Sequence, residues 1–410
     1  MLVRLVVAAL VLLPLGRSEA QSAPTRIALV GATVIDGTGA APVPNATVLI
    51  EGTRIVAVGP RRAVTVPAGT TVIDVANKFV LPGFVDLHMH LTYSTDYPSY
   101  QLQTDAEGTL RAFYYMEMFQ RLGITSVRDV AASVGPIKAA AAALGEGIES
   151  AVRVFPVGKL ITSTGGHAAG ERASIFADGP VEFRRAVRLM HDHGFRHIKL
   201  SPFYTLEEVQ AAVDEAKTRG MRITSHGGGV SDTWPTSMTK LAVTGGVQSI
   251  EHLNQMDDDA LDLIAAKGVA IIPTIAIYRQ LYRENQISRD MIERRGWKVE
   301  MHETLFRKAH QRGIMLGVGS DAVFDMMKLY PDLYFEEMRY FVELGMTPME
   351  AIVAATKNGG AIIGDQYQIG TLEPGKLADL QVLATNPLVS FAGLGKPEMV
   401  MIGGKIRRFN

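Results

Sequence analysis

Between Phe84 and about Gly364 the chain repeats one unit eight times: a short apolar run, a polar loop, then an amphipathic helical stretch. The candidate strands are Phe84 to His90, Ser126 to Val130, Arg153 to Val157, His197 to Leu200, Arg222 to His226, Val247 to His252, Val269 to Pro273 and Met315 to Gly319. Helical signals lie between them. Thr104-Asp105-Ala106-Glu107 and Thr205-Leu206-Glu207-Glu208 read as capping boxes, and Leu206, Val209, Val213 and Ala216 keep helical spacing until Gly220. The stretch from Arg294 to Arg312 reads as another long helix. Eight alternating units that close on themselves describe a (β/α)8 TIM barrel over residues 82–365. The competing arrangement is an open doubly wound sheet, which calls for a glycine-rich phosphate loop after its first strand. That position carries His88 and His90 instead.

The flanks have a different rhythm. Residues 21–81 contain short strand-like runs separated by Gly, Pro and Asn turns, and residues 366–410 return to the same style with Leu380-Gln381-Val382-Leu383 and Met399-Val400-Met401-Ile402. This predicts a small β-sandwich domain built from both chain ends, with the barrel inserted. Residues 1–20 stand apart: Arg4 precedes the apolar run Leu5 to Leu15, and Ser18-Glu19-Ala20 offers a small-x-small cleavage site. The run is shorter than the roughly 20 residues of a spanning helix. A secretory signal peptide cut near Ala20, with export to the periplasm or outside, is the expectation. The chain has no cysteine, so its stability must come from its core and not from disulfides, and thiolate ligands and a cysteine nucleophile are excluded. With a formal net charge of −1 it shows no global attraction to nucleic acid or to an anionic membrane. A small-molecule or dipeptide partner is expected, and self-association into a homo-oligomer is compatible with the sequence.

In a barrel the reacting groups sit at the C-terminal ends of the strands. Those positions hold His88 and His90 on the first strand, Lys199 in the fourth, His226 closing the fifth, His252 closing the sixth and Asp321 just after the eighth. Each alone has an ordinary reading: a strand-end polar residue, a snorkelling lysine, a hydrogen-bonded core histidine, a helix cap. Four histidines, a lysine and an aspartate at one face of one fold are instead a ligand set for divalent cations.

Pro82-Gly83-Phe84-Val85-Asp86-Leu87-His88-Met89-His90, Ile198-Lys199-Leu200, Thr224-Ser225-His226, Ser249-Ile250-Glu251-His252, Gly319-Ser320-Asp321 and Gly370-Thr371-Leu372-Glu373-Pro374-Gly375-Lys376-Leu377-Ala378-Asp379-Leu380 together resemble the amidohydrolase superfamily. Within it the chain is most similar to the imidazolonepropionase-related and prolidase-like branch. The resemblance implies that His88, His90 and Asp321 hold one metal and His226 and His252 a second, with Lys199 N-carboxylated to bridge them. A carbamate is an anionic oxygen ligand, whereas an ammonium cannot bind a cation. Two metals sharing a hydroxide would cleave an amide, with Asp321 moving the proton to the departing nitrogen. Zinc suits the donor set best, with manganese, iron and cobalt as alternatives.

His167, in Ser163-Thr164-Gly165-Gly166-His167, is the expected contact to the substrate carbonyl, since a histidine here reaches the substrate in related enzymes. Tyr204 is a candidate substitute for a substrate-contacting tyrosine that the branch often carries after the bridging lysine. Arg279 or Arg172 could bind a substrate carboxylate. Asp129 reads as an orienting carboxylate, His191, His193 and His197 as remote from the site, and His302 and His310 as exposed helix residues. Lys199 argues against imidazolonepropionase activity itself, which uses a single metal. The leading function is hydrolysis of an Xaa-Pro-like dipeptide or an N-acyl amino acid. Hydrolysis of a cyclic amide or lactone is the alternative on the same centre. A deaminase is disfavoured because Gly227-Gly228-Gly229 follows His226 where nucleobase deaminases carry a glutamate. A non-catalytic metal-binding protein would be expected to have lost a ligand, and none is lost.

Overall fold

The computed structural model describes residues 25–93, 97–168, 170–228, 236–283, 298–323 and 330–408, so the leader read over 1–20 lies outside them. In chain order the strands are β1 (Arg26–Val34), β2 (Val43–Glu51), β3 (Arg54–Pro60), β4 (Thr71–Asp74), β5 (Phe79–Pro82), β6 (Phe84–Met89), β7 (Ile124–Asp129), β8 (Arg153–Pro156), β9 (Leu160–Thr162), β10 (Ser174–Phe176), β11 (His197–Leu200), β12 (Arg222–His226), β13 (Ser249–Glu251), β14 (Ala270–Ile272), β15 (Leu380–Leu383), β16 (Met399–Ile402) and β17 (Lys405–Arg408). Between Phe84 and Ile363 the strands alternate with helices, giving the expected mixed α/β character. Thr104 with Glu107 and Thr205 with Glu208 close reciprocal capping boxes at the starts of the helices Asp105–Arg121 and Leu206–Thr218. Among the described residues no helix is long and apolar enough to cross a membrane.

The central strands are parallel and fall into two hydrogen-bonded groups, β6-β7-β8 and β10-β9-β11-β12-β13-β14. The eighth expected strand, Met315 to Gly319, does not form a regular strand. Segment 315–322 instead makes isolated parallel bridges, Leu316 to Ile271 of β14 and Ala322 to Met89 of β6. Its hydrogen bonds alternate between the two neighbours: Gly317 N–H donates to Ile271 (3.0 Å), whereas the Val318 carbonyl accepts from Leu87 (3.0 Å). Glycine is needed for this close approach. A Cβ on Gly317 would sit 2.2 Å from Leu87 Cδ1, and one on Gly319 would sit 2.6 Å from Ile272 Cγ2.

Strands from both chain ends share one hydrogen-bonded path. The order is β17-β16-β15-β5-β1-β2-β3, with β4 also on β1. The reason lies in β1, whose first half pairs with β4 and whose end pairs with β5, either side of the irregularity at Gly31. That sheet buries Val48, Ile50, Ile55, Val80, Leu380 and Met401 in its own core. Arg153 of β8 is paired with Asp379 at 3.0 Å, which fastens it to the central strands. The central core is larger and includes fully buried Phe84, Phe119, Phe183, Phe306, Phe335 and Phe341. Each such side chain contributes roughly 1.5–3 kcal/mol of burial free energy, so the site rests on a rigid frame.

Candidate metal centre

β6 is buried along its whole length, and strand alternation carries His88 and His90 to the same face of its C-terminal end. His88 is held by a buried carboxylate. Its Nδ1 lies 2.8 Å from Glu251 Oε2 of β13, and Glu251 is in turn held by Arg128 Nη2 (2.5 Å) and the Thr224 hydroxyl. Burial opposes ionisation of Glu251, but Arg128 and His88 outweigh it and hold the carboxyl well below its usual range. A charged Glu251 can only accept, so Nδ1 of His88 carries the proton and Nε2 presents its lone pair. Nε2 faces Lys199 Nζ and Asp321 Oδ1, each at 3.3 Å.

His90 and His252 are also anchored through Nδ1. His90 Nδ1 is 3.3 Å from the Ala131 carbonyl, while its Nε2 is 3.6 Å from Asp321 Oδ1. His252 Nδ1 is 2.6 Å from the Thr274 hydroxyl. His226 Nε2 is buried and has no hydrogen-bond partner among the described residues. Burial keeps His226 and His252 well below the ordinary histidine range and therefore neutral; the neighbouring histidines and Lys199 add to this at His226, whereas Asp321 opposes it at His252. Burial likewise lowers the Lys199 ammonium from its usual range. Asp321 is held well below the usual carboxylate range by His88, His90 and His252, although burial opposes this. His252 (φ 70°), Thr274 (φ 51°) and Asp321 (φ 49°) all adopt the left-handed region that non-glycine residues avoid, so backbone strain is concentrated where these side chains converge.

The result is an unbroken row of rings. His90 to His88 is 5.6 Å between centroids, His88 to His252 4.7 Å, His252 to His226 4.4 Å, and His226 to His167 4.3 Å, the last pair stacked. One ligand atom each from His88, His252 and Asp321 lies within 4.8 Å of the others. Neutral imidazoles, a charged carboxylate and a lysine driven toward its neutral form suit divalent cations better than a purely structural network, because Lys199 and Asp321 crowd one His88 nitrogen and His226 Nε2 has no partner among the described residues.

The structure thus brings together His88, His90, Lys199, His226, His252, Asp321 and His167. It does not bring the other expected substrate contacts, Tyr204 and Arg279 or Arg172, to them. Tyr204 is buried, and its hydroxyl pairs with Ser225 Oγ at 2.7 Å. Ser225 lies on the face of β12 opposite to that of Thr224 and His226, so Tyr204 packs behind the strand. Arg279 is committed to carboxylates, 2.6 Å from Glu303 and 3.3 Å from Glu343, with its guanidinium 3.8 Å over the Tyr340 ring. Arg172 is likewise taken up by Asp105, Ser133 and the Gln103 carbonyl. Asp129 is fully buried and accepts from the Leu91 (2.7 Å) and Ala131 (3.2 Å) amides, an orienting arrangement.

His302 corrects an expectation: it is 2% exposed, not on a solvent face, and shares the inward stripe of Val299–Gln311 with Leu305, Phe306 and Ala309. Its ring lies 5.0 Å from Tyr278, whose own ring lies 5.8 Å from His252. Glu251 and Arg128 carry the positioning of His88 yet drew no role from the sequence. The available signal was a carboxylate between Ile250 and His252 in a strand too short to reach solvent.

A model of the Amidohydrolase family matches residues 79–407. Ochratoxinase of Aspergillus niger is 27% identical over 374 residues, which span 80% of this chain and 75% of that protein. Imidazolonepropionase of Symbiobacterium thermophilum is 27% identical over 395 residues, 84% of this chain and 85% of its own. Among solved structures, a Xaa-Pro dipeptidase with bound methionine in the active site superposes with a TM-score of 0.82 at 25% identity, over 94% of this chain and 100% of that one. A prolidase complexed with N-methylphosphonate-L-proline gives a TM-score of 0.82 at 26% identity over the same shares.

Proposed function

From the premise that this chain belongs to the amidohydrolase family and is a hydrolase of carbon–nitrogen bonds, we propose that it cleaves the amide of an Xaa-Pro-like dipeptide or an N-acyl amino acid at a two-metal centre. The observation that carries this reading is the row of histidine rings with Lys199 and Asp321 facing His88 Nε2 and with His226 Nε2 buried and unpartnered among the described residues. That donor set fits the cations. His88, His90 and Asp321 would hold one and His226 and His252 the other, with Lys199 bridging as N6-carboxylysine. Carbamate formation joins the neutral Lys199 amine to carbon dioxide with loss of one proton, and burial supplies the neutral amine. Zinc is the expected metal.

Bound divalent cations supply Lewis acidity that polarises the amide carbonyl and acidifies water. The chain's own residues do the rest. Asp321, charged and partly open to solvent, takes a proton from the attacking water and returns it to the departing nitrogen. His167, stacked on His226, stands where it can donate to the carbonyl oxygen as charge grows there. Glu251 and Arg128 keep His88 in one tautomer and orientation.

Strands β6, β7, β8, β11, β12, β13 and β14 with segment 315–322 are read as the eight members of a (β/α)8 barrel, β9 and β10 being additions to it, and residues 1–20 as a secretory leader that delivers the enzyme to the periplasm. Likeness to the dipeptidase and prolidase structures favours the linear substrates, and likeness to imidazolonepropionase keeps cyclic amides as the second reading. Screening the zinc-loaded enzyme against Xaa-Pro dipeptides, N-acyl amino acids and cyclic amides tests this. Turnover of one or both linear classes is expected, and turnover confined to cyclic amides would overturn it.

A further inference from the structure

Most charged groups near the histidine row are already matched. Arg128 serves Glu251, and Arg172 is tied to Asp105 and Ser133. Asp86 accepts from the Ser320 hydroxyl at 2.6 Å and amide at 3.0 Å, and Asp129 accepts from two backbone amides. Asp321 faces three histidines. Glu171 differs from all of these. Its Oε2 accepts one hydrogen bond from a neutral donor, the Tyr93 hydroxyl at 3.1 Å, and it forms no ion pair with any Lys, Arg or His among the described residues.

Its position links it to the site. The Tyr93 ring that holds Glu171 stacks on His90 at 4.5 Å and lies 4.3 Å from the Tyr100 ring. Leu160, Ala131 and Ala173 are buried in the same cluster. An apolar, aromatic wall therefore begins at a metal-site histidine and ends in a half-buried carboxylate that no cation pairs with among the described residues, His90 and Lys199 favouring its charge only from a distance. Withdrawing a carboxylate from water without a counter-charge is costly, and burial raises the Glu171 carboxyl above its usual range. A cation arriving with the substrate would remove that cost and turn it into recognition.

The geometry points to Glu171 as the residue that receives an ammonium group carried by the acyl half of the substrate, with Tyr93 fixing the carboxylate in place. This rests on the amide-hydrolysis reading above and narrows it. Substrates with a cationic acyl half, either an α-ammonium or an ammonium at the end of a chain, are preferred over neutral N-acyl amino acids. A wall of aromatic side chains accommodates the intervening carbon atoms, and Glu171 selects by charge.

The test uses the metal-loaded full chain and three matched ligands: leucyl-proline, with an α-ammonium; 6-aminohexanoyl-proline, with a distal one; and 4-methylpentanoyl-proline, with none. Binding by calorimetry and turnover are measured for the wild type, Glu171→Gln and Glu171→Asp. Glutamine keeps the size and an acceptor for Tyr93, and aspartate keeps the charge. The wild type should favour at least one ammonium ligand over 4-methylpentanoyl-proline by about tenfold or more, and which one identifies the source of the cation. Glu171→Gln should erase that preference through binding and KM, with 4-methylpentanoyl-proline handled within about twofold of wild type, while Glu171→Asp retains part of it. Equal affinity of the wild type for all three ligands would overturn the assignment, as would an equal loss for all three in Glu171→Gln. Discrimination in calorimetry without cleavage of any ligand would uphold Glu171 and refute cleavage of these linear amides, so the two failures are separable.

Discussion

At the N-terminal ends of β8, β11 and β12 each polar side chain has a dedicated partner: Arg153 pairs with Asp379, His197 Nε2 meets the Ile363 carbonyl at 2.9 Å, and Arg222 Nε donates to the Ile362 carbonyl at 3.0 Å. At the C-terminal ends the outer nitrogens of His88, His90 and His252 are anchored one to one, but several atoms that face the site share partners or, among the described residues, lack them. Asp321 lies 3.3–3.9 Å from three histidines, Lys199 reaches the same His88 nitrogen as Asp321 does, and His226 Nε2 has no partner among the described residues. Both ends bury histidine, so burial alone does not mark a site. One-to-one pairing fastens a structure, whereas shared and unmet donor capacity on a rigid frame is what binding a cation requires.

Perturbing the two ends should therefore have opposite signatures. The largest effect is expected for Lys199→Ala, which should lower amide turnover by about a thousandfold or more with little change in melting temperature, and added short carboxylic acids should restore part of it. Retained activity would erase the distinction between the two ends. Glu251→Gln comes next. It leaves every proposed ligand in place but weakens the hold on His88, and should cost about 10–100-fold in activity or metal affinity, read by steady-state kinetics and by competition with a chelating dye.

Glu337 extends the comparison to pH. Fully buried, it accepts from the Ile275 (3.0 Å) and Ala276 (2.6 Å) amides at the start of the helix after Thr274, and burial pushes its carboxyl from 4.5 up to about 8. A carboxyl raised on folding favours the protonated state. Its contribution to stability is full below about pH 4.5 and is lost as pH rises through 8. Thermal unfolding from pH 5 to 8.5 should show a fall in wild-type stability that is shallower in Glu337→Gln, and parallel curves would contradict this. The smallest effect belongs to the fastening end: Arg153→Met should cost about 1 kcal/mol of stability and leave kcat/KM within about twofold.

Much of this was legible in the sequence, for reasons visible residue by residue. The bounds of β11 and β12 follow from apolar runs closed by turn residues, and the polar residues ending those runs converge because parallel strands deliver their C-terminal ends to one place. Segment 315–322 was placed correctly between its neighbours but misread as a regular strand, since two glycines that permit close approach also interrupt the ladder. β9 and β10, three residues each, are too short for periodicity to register. Tyr204 and Arg279 looked available because sequence does not report partners, and long-range contacts to Ser225, Glu303 and Glu343 occupy them. His302 reads as exposed because one polar residue on an otherwise apolar stripe looks like an interruption and not like part of the core.

Metal content measured together with activity bears most directly on the central claim. Elemental analysis of the purified full chain should return about two equivalents of divalent metal, zinc foremost, and removal by a chelator should abolish amide hydrolysis until metal is restored. Well under two equivalents, with hydrolysis unchanged after chelation, would contradict the account.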